Sequence, residues 1–166
     1  GHRVTAGDIG FRYVLEALSQ AGRADVVYDM LTQRDGPGYA WQLERGATTL
    51  TEAWDADPRS SQNHMMLGHA EMWFYRYLAG IDIDFRRDEP ARITIKPAVI
   101  HGVGWVRAHY RSVMGEIGVG WEREGDRLRL EVTIPPGAKA RIYPPGGDAP
   151  LDVGSGTHRV ESSIKP

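Results

Sequence analysis

The sequence predicts an α+β chain in two parts, a helical half over residues 1–81 and an antiparallel β-sandwich over residues 82–166. Three observations predict it. Apolar residues recur at helical spacing as far as Gly80. Beyond that point the period changes to two. Gly and Pro then punctuate the second half at intervals that suit several short strands.

In the helical half, Phe11, Val14, Leu15 and Leu18 form one stripe, ended by Ala21-Gly22. Asp8 reads as the cap of this helix, with contact to a ligand as the alternative. Val26, Val27, Met30 and Leu31 form a second stripe, closed by the breaker run Arg34-Asp-Gly-Pro-Gly38. A third helix is expected from about Gln62 to Leu78, with Met65, Met66, His69, Trp73 and Tyr77 facing inward and Ala79-Gly80 closing it. In the β half, Arg92–Lys96 alternates, and Val106, Ala108 and Tyr110 oppose Arg107, His109 and Arg111. Leu128, Leu130, Val132 and Ile134 follow the turn Glu124-Gly-Asp126. Shorter strands are expected at Ala138–Tyr143 and His158–Ser162, with Pro144–Gly147 as a loop. At roughly 80 residues this part is near the lower size for independent stability.

A formal net charge of −2 gives no field that argues for nucleic acid or an anionic membrane, and no apolar run approaches a membrane span. Gly1–Ala6 does not read as a signal peptide. The absence of cysteine excludes disulfides and thiolate metal sites. No cofactor is implied. A metal site from His64, His69 and Asp55 fits no recognised ligand spacing. Trp41, Trp54, Trp73, Phe74 and Tyr77 call for more partner surface than the helical half provides. The chain is therefore expected to be a piece of a larger helical array. Its exposed apolar face would be covered by a partner or would drive self-association.

The stretch Gly46–Asp55, followed by Ser60-Ser-Gln-Asn63-His64, puts Glu52, Trp54, Asp55, Asn63 and His64 close together. Carboxylates beside aromatic rings suit sugar chemistry, because glycosidic cleavage needs a positioned acid or base. Each residue also has a structural reading. Thr49-Leu-Thr-Glu52 resembles a capping box, and Asp57-Pro58 favours a turn. Asp55 could orient Glu52 or Trp54. His64 could donate to a sugar hydroxyl or to a loop carbonyl. Trp41 and Trp54 could stack on a sugar ring, or Trp54 could form the wall behind Glu52. Trp73, Trp105 and Trp121 sit in periodic segments and read as core. Arg107, His109 and Arg111 read as a solvated sheet face, since no exposed aromatic row marks a carbohydrate surface. Gly115, Gly118 and Gly120 precede no helix, which excludes a phosphate loop.

Gly46-Ala-Thr-Thr-Leu-Thr-Glu52-Ala-Trp54-Asp55, Asn63-His64 and Trp73–Ile81 together resemble bacterial α-L-rhamnosidases of glycoside hydrolase family seventy-eight. Gly7–Gly10, Ile95-Lys-Pro97 and Ile134-Pro-Pro-Gly-Ala138 fit the same pattern. The resemblance covers nearly the whole chain and corresponds to the family's C-terminal end: the last helices of an (α/α)6 barrel, then a β-sandwich. It implies inverting hydrolysis of terminal α-L-rhamnosides, with a general acid and a general base ~6.5–9.5 Å apart. By resemblance Glu52 is that base and His64 contacts the sugar. Nothing here matches the acid, so the chain alone is expected to be inactive without the upstream barrel. Many members carry Trp where this chain has Thr51, which leaves the pocket rim open. A non-catalytic carbohydrate-binding or assembly module, or a barrel acting on another deoxyhexoside, are the alternatives.

Overall fold

In the computed structural model, residues 2–147 and 149–164 are described. They form two compact units that divide between Trp73 and Phe74.

The first unit contains α1 (Asp8–Gln20), α2 (Ala24–Thr32), α3 (Tyr39–Glu44), a 3₁₀ turn at Met65–Leu67 and α4 (His69–Trp73). The two apolar stripes read from the sequence face inward. Phe11, Leu15, Val26, Val27, Met30 and Leu31 are all buried. Trp73 is fully buried, and its indole N–H donates to Ser19 Oγ at 2.9 Å.

The long helix expected from Gln62 is not formed. Residues 61–64 are instead irregular and bonded to the preceding loop, and α-helix begins only at His69. Met65 is consequently 85% exposed and Met66 is exposed too, so neither faces inward as expected. The short α3 was not expected at all.

The second unit opens with a π-helical turn, Phe74–Leu78, whose Phe74 carbonyl accepts the Ala79 N–H at 2.8 Å. Eight strands follow among the described residues: β1 (Ile81–Ile83), β2 (Ile93–Ile95), β3 (Trp105–Ser112), β4 (Gly115–Glu124), β5 (Arg127–Ile134), β6 (Ala140–Ile142), β7 (Leu151–Val153) and β8 (Gly156–Ser163). They make a sandwich of two four-stranded sheets, ordered β1-β2-β6-β7 and β3-β4-β5-β8. All pairs are antiparallel except β2 with β6, which run parallel. β5 shows why the sheet buries one face: every second residue, Leu128, Leu130, Val132 and Ile134, is buried. Trp121 on β4 is buried among them and donates its N–H to the Leu78 carbonyl at 3.0 Å.

Gly80 and Pro97, each conspicuous in the sequence, meet here. Gly80 has φ 80°, its carbonyl accepts the Lys96 N–H, and a Cβ on it would lie 2.2 Å from Pro97 N. No side chain can occupy that position without moving backbone. Trp105 corrects another expectation. It is 64% exposed rather than core, because β3 begins with its odd-numbered residues on the solvent side.

Candidate active site

The loop of residues 45–64 owes its shape to hydrogen bonds that reach across it. Glu52 N donates to Ser61 O and His64 N to Leu50 O, both at 2.8 Å. Thr49 Oγ1 donates to the Gln62 carbonyl. Residues 49–52 and 61–64 therefore run side by side, which brings Glu52, Asn63 and His64 onto neighbouring segments.

Glu52 lies in this loop and not in a helix, so the capping-box reading of Thr49–Glu52 does not hold. Its side chain is exposed, and Oε2 accepts the Ser61 N–H at 3.1 Å. The residue is thus tied to Ser61 through both backbone and side chain, while Oε1 has no protein partner among the described residues. A carboxylate with one oxygen anchored and the other open can accept a proton from a bound water.

Beneath the loop the carbonyl of Ala53 gathers three donors: Thr51 Oγ1 at 2.8 Å, Gln42 Nε2 at 3.3 Å and Ala56 N at 3.0 Å. Thr51 is fully buried and Gln42 nearly so. Thr51 therefore faces the interior of the unit and not a rim. Buried polar side chains of this kind persist because they are bonded.

His64 is 21% exposed, and its Nε2 lies 3.4 Å from Asp8 Oδ2. Asp8 does not cap α1. Gly7 holds the cap position, and Asp8 is the first helical residue, with Oδ1 accepting the Ile9 N–H at 2.8 Å. The Ile9 N–H first, and then the His64 imidazole, hold the Asp8 carboxyl below its usual range. Asn63 is exposed, with its backbone N–H 3.3 Å from Ser61 Oγ.

The two tryptophans of the site are built into the scaffold. Trp54 meets Phe11 and Tyr39 edge-on, with centroids at 4.9 and 5.1 Å, and its N–H donates to the Ala6 carbonyl at 2.9 Å. Tyr39 OH in turn donates to the Leu67 carbonyl, and burial pushes its phenol up to about 12. Trp41 donates to the Asp55 carbonyl at 3.2 Å, and the Arg45 guanidinium covers one face of its ring at 4.1 Å. The Asp55 carboxylate accepts the Asp57 N–H at 3.2 Å, so it shapes its own turn and orients neither Glu52 nor Trp54. Asp57 is paired with Arg59, as a turn residue should be.

Sequence reasoning missed Ser61, Gln42 and Tyr39. Their contributions are bonds to distant backbone groups, and such bonds leave no local pattern. Among the described residues no cluster of three or more His, Cys, Asp or Glu could hold a metal ion, and no helix is long and apolar enough to cross a membrane.

A carboxylate with one oxygen free thus lies on a loop between helices, and a β-sandwich follows in the chain. Comparison with known proteins makes this particular. Residues 1–78 match the bacterial alpha-L-rhamnosidase 6 hairpin glycosidase domain, and residues 88–159 match the bacterial alpha-L-rhamnosidase C-terminal domain. The chain belongs to the bacterial α-L-rhamnosidase family.

It is 27% identical to an alpha-L-rhamnosidase of Streptomyces avermitilis over 94% of its own length, and 28% identical to one of an Alteromonas species over 84%. It spans only 18% and 16% of those proteins. The crystal structure of the Streptomyces avermitilis enzyme complexed with L-rhamnose superposes with a TM-score of 0.87 at 26% identity, covering 98% of this chain and 18% of that one. The Dictyoglomus thermophilum enzyme shares the fold, with a TM-score of 0.88 at 20% identity, covering 98% of this chain and 21% of that one.

Proposed function

We propose that this chain supplies the general base and part of the sugar pocket of an inverting glycoside hydrolase that removes terminal α-L-rhamnosides, and that it is inactive by itself. In this reading residues 1–81 belong to the catalytic barrel and residues 82–166 to the domain that follows it. The observation that carries the proposal is the Glu52 carboxylate, anchored through Oε2 to the Ser61 N–H and open at Oε1. Ionised, it takes a proton from a water as that water attacks the anomeric carbon. The leaving oxygen receives its proton from an acid elsewhere in the larger protein. His64, oriented by Asp8, and the neighbouring Asn63 contact the sugar hydroxyls. Trp54 forms the wall behind the base, while Trp41 and Asp55 hold the loop that carries it.

The remainder of the barrel is the natural partner of the helical unit. Ile9, Tyr13, Leu43 and Met65 are all well exposed, which is the kind of apolar surface that further helices would cover. In their absence this surface favours self-association.

The experiment is Glu52→Gln in the longer protein that contains this chain, assayed on nitrophenyl α-L-rhamnoside. The variant should lose activity by about 10²–10⁴-fold, the contribution typical of a positioned base. Wild-type turnover would remove the assignment. A second reading is hydrolysis of a different deoxyhexoside. A panel of nitrophenyl glycosides separates the two.

A further inference from the structure

The outer face of the sheet β3-β4-β5-β8 carries a trough of about 570 Å3. Its lining includes three rows of cross-strand neighbours: Trp105, Glu122, Arg129 and Glu161; then Arg107, Gly120, Glu131 and Arg159; then His109, Gly118 and Thr133. The middle of the floor therefore carries no side chain at Gly118 and Gly120 of a strand paired on both sides; Gly118 is buried beneath His109 and Thr133, and Gly120 is half-buried.

Nothing in the fold requires glycine at these two positions. Neither has a positive φ. A Cβ on Gly118 would lie 3.4 Å from Thr133 Cβ, and one on Gly120 would lie 3.9 Å from Arg107 Cγ, both ordinary contacts. Glycine inside a strand weakens it, and where no turn or crowding explains it, it marks a place where something outside approaches the backbone closely.

The walls indicate what approaches. Trp105 stands 64% exposed at one end, an indole plate with the Arg107 guanidinium 5.8 Å from its centroid. The remaining charges balance, with Arg107, Arg129 and Arg159 against Glu122, Glu131 and Glu161. Arg159 and Glu131 pair at 2.7 Å, and Arg129 reaches Glu161 at 3.8 Å. A polyanion or polycation would find as much repulsion as attraction in such a wall. A neutral ligand rich in hydroxyls would find donors and acceptors already oriented. The β4 backbone is fully engaged in its ladders, so a peptide cannot enter the trough by adding a strand.

We infer that this trough is a binding site for a neutral oligosaccharide, whose ring lies over Gly120 and stacks at one end on Trp105. The inference does not depend on the reading of the Glu52 loop.

The test uses the full 166-residue chain, titrated by calorimetry with neutral tetrasaccharides of rhamnose, glucose and xylose. An oligogalacturonate and an uncharged extended peptide serve as the competing classes. At least one neutral tetrasaccharide should bind. Trp105→Ala should weaken that binding about tenfold, the loss expected for one aromatic stack. Gly120→Thr should abolish binding without lowering the thermal midpoint, because the side chain fills the trough and not the core. Glu52→Gln should leave the affinity unchanged, so that failure of the catalytic reading and of this one are distinguishable. The inference is overturned if no neutral tetrasaccharide binds, or if only the polyanion or the peptide does. It is equally overturned if binding survives both Trp105→Ala and Gly120→Thr. Should Gly120→Thr unfold the chain, the glycine is structural and Trp105→Ala alone decides.

Discussion

The helical unit and the β-sandwich solve the problem of burial in opposite ways. In the sandwich, two sheets close on each other, and each strand turns one face inward. Ile93, Ile95, Ala140 and Ile142 on one sheet and Ile117, Leu128 and Ile134 on the other are all essentially inaccessible. In the helical unit the core is smaller, and Ile9, Tyr13, Leu43 and Met65 remain well exposed. A pair of sheets is a complete layer architecture; a few helices cut from an array bury one side and leave another open. The candidate catalytic loop belongs to the open unit, and its geometry rests on bonds to backbone carbonyls together with the packing of Trp54 on Phe11 and Tyr39.

That contrast predicts where a single atom does most damage. The sandwich unit has no slack where Gly80 passes Pro97. Gly80→Ala places a methyl group 2.2 Å from backbone at φ 80°. The expected cost is about 3 kcal/mol or more, from the left-handed conformation and the clash together. Hydrogen exchange at the β1 and β2 amides should accelerate accordingly. Unchanged protection there would mean that the junction is soft and the comparison drawn too sharply.

In the helical unit the corresponding weak point is polar. Thr51→Val keeps the shape but removes one of three donors to the Ala53 carbonyl, and should cost about 1–2 kcal/mol. Its signature is local. Exchange should rise at Ala56 N and Glu52 N while the strands of the sandwich keep their protection. Thr51→Trp has to enter a site with no exposed surface and should cost a further ~1–3 kcal/mol by overpacking. If that variant is as stable as the parent, the loop has a second conformation in which this side chain faces outward.

The same contrast explains what could be read from the amino-acid order. Amphipathic stripes such as Phe11–Leu15 and Val26–Leu31 state their own periodicity, and so does the alternation along β5. β4 escaped because Gly115, Gly118 and Gly120 interrupt it, although Ile117, Val119 and Trp121 alternate between them. The helix expected from Gln62 failed because Met65 and Met66 look like core residues. What decides their place is the bonding of residues 61–64 to residues 49–52, which no periodicity reveals. Glu52 and His64 stood out through family resemblance. The anchoring of Glu52 by Ser61, and of His64 by Asp8 across fifty-six positions, could come only from coordinates. Trp105 was misassigned because an exposed tryptophan at the head of a strand has the same local pattern as a buried one.

A smaller effect, on the surface of the sandwich unit, depends on pH. Asp84, in the sandwich unit, accepts from the Arg86 side chain and then from the Arg86 backbone N–H, which together lower its carboxyl to about 2 from an ordinary 3.8. A folded value below the unfolded one means that the contribution is fully present above the unfolded value. It is lost as pH falls through the folded one. The stability difference between the parent and Asp84→Asn should therefore be constant from neutral pH to about 4 and vanish only toward pH 2. A difference that collapses well above that range would show that the Arg86 pairing does not persist in solution.

The smallest change in folding free energy is expected on the open side of the helical unit. Leu43→Lys with Met65→Lys alters two well-exposed side chains, so the unit's own stability should move by no more than about 0.5 kcal/mol. What should change is association. The parent chain, carrying uncovered apolar surface, should sediment partly as oligomers, and the double variant should sediment as a monomer. In the longer protein the same pair of lysines should be severely disruptive, because barrel helices would have to bury two charges against them. A substitution that is silent in the short chain and destructive in the long one is the outcome required if this surface is the cut face of a barrel. Equal tolerance in both would mean that the surface is an ordinary exterior, and the helical unit would then be complete as it stands.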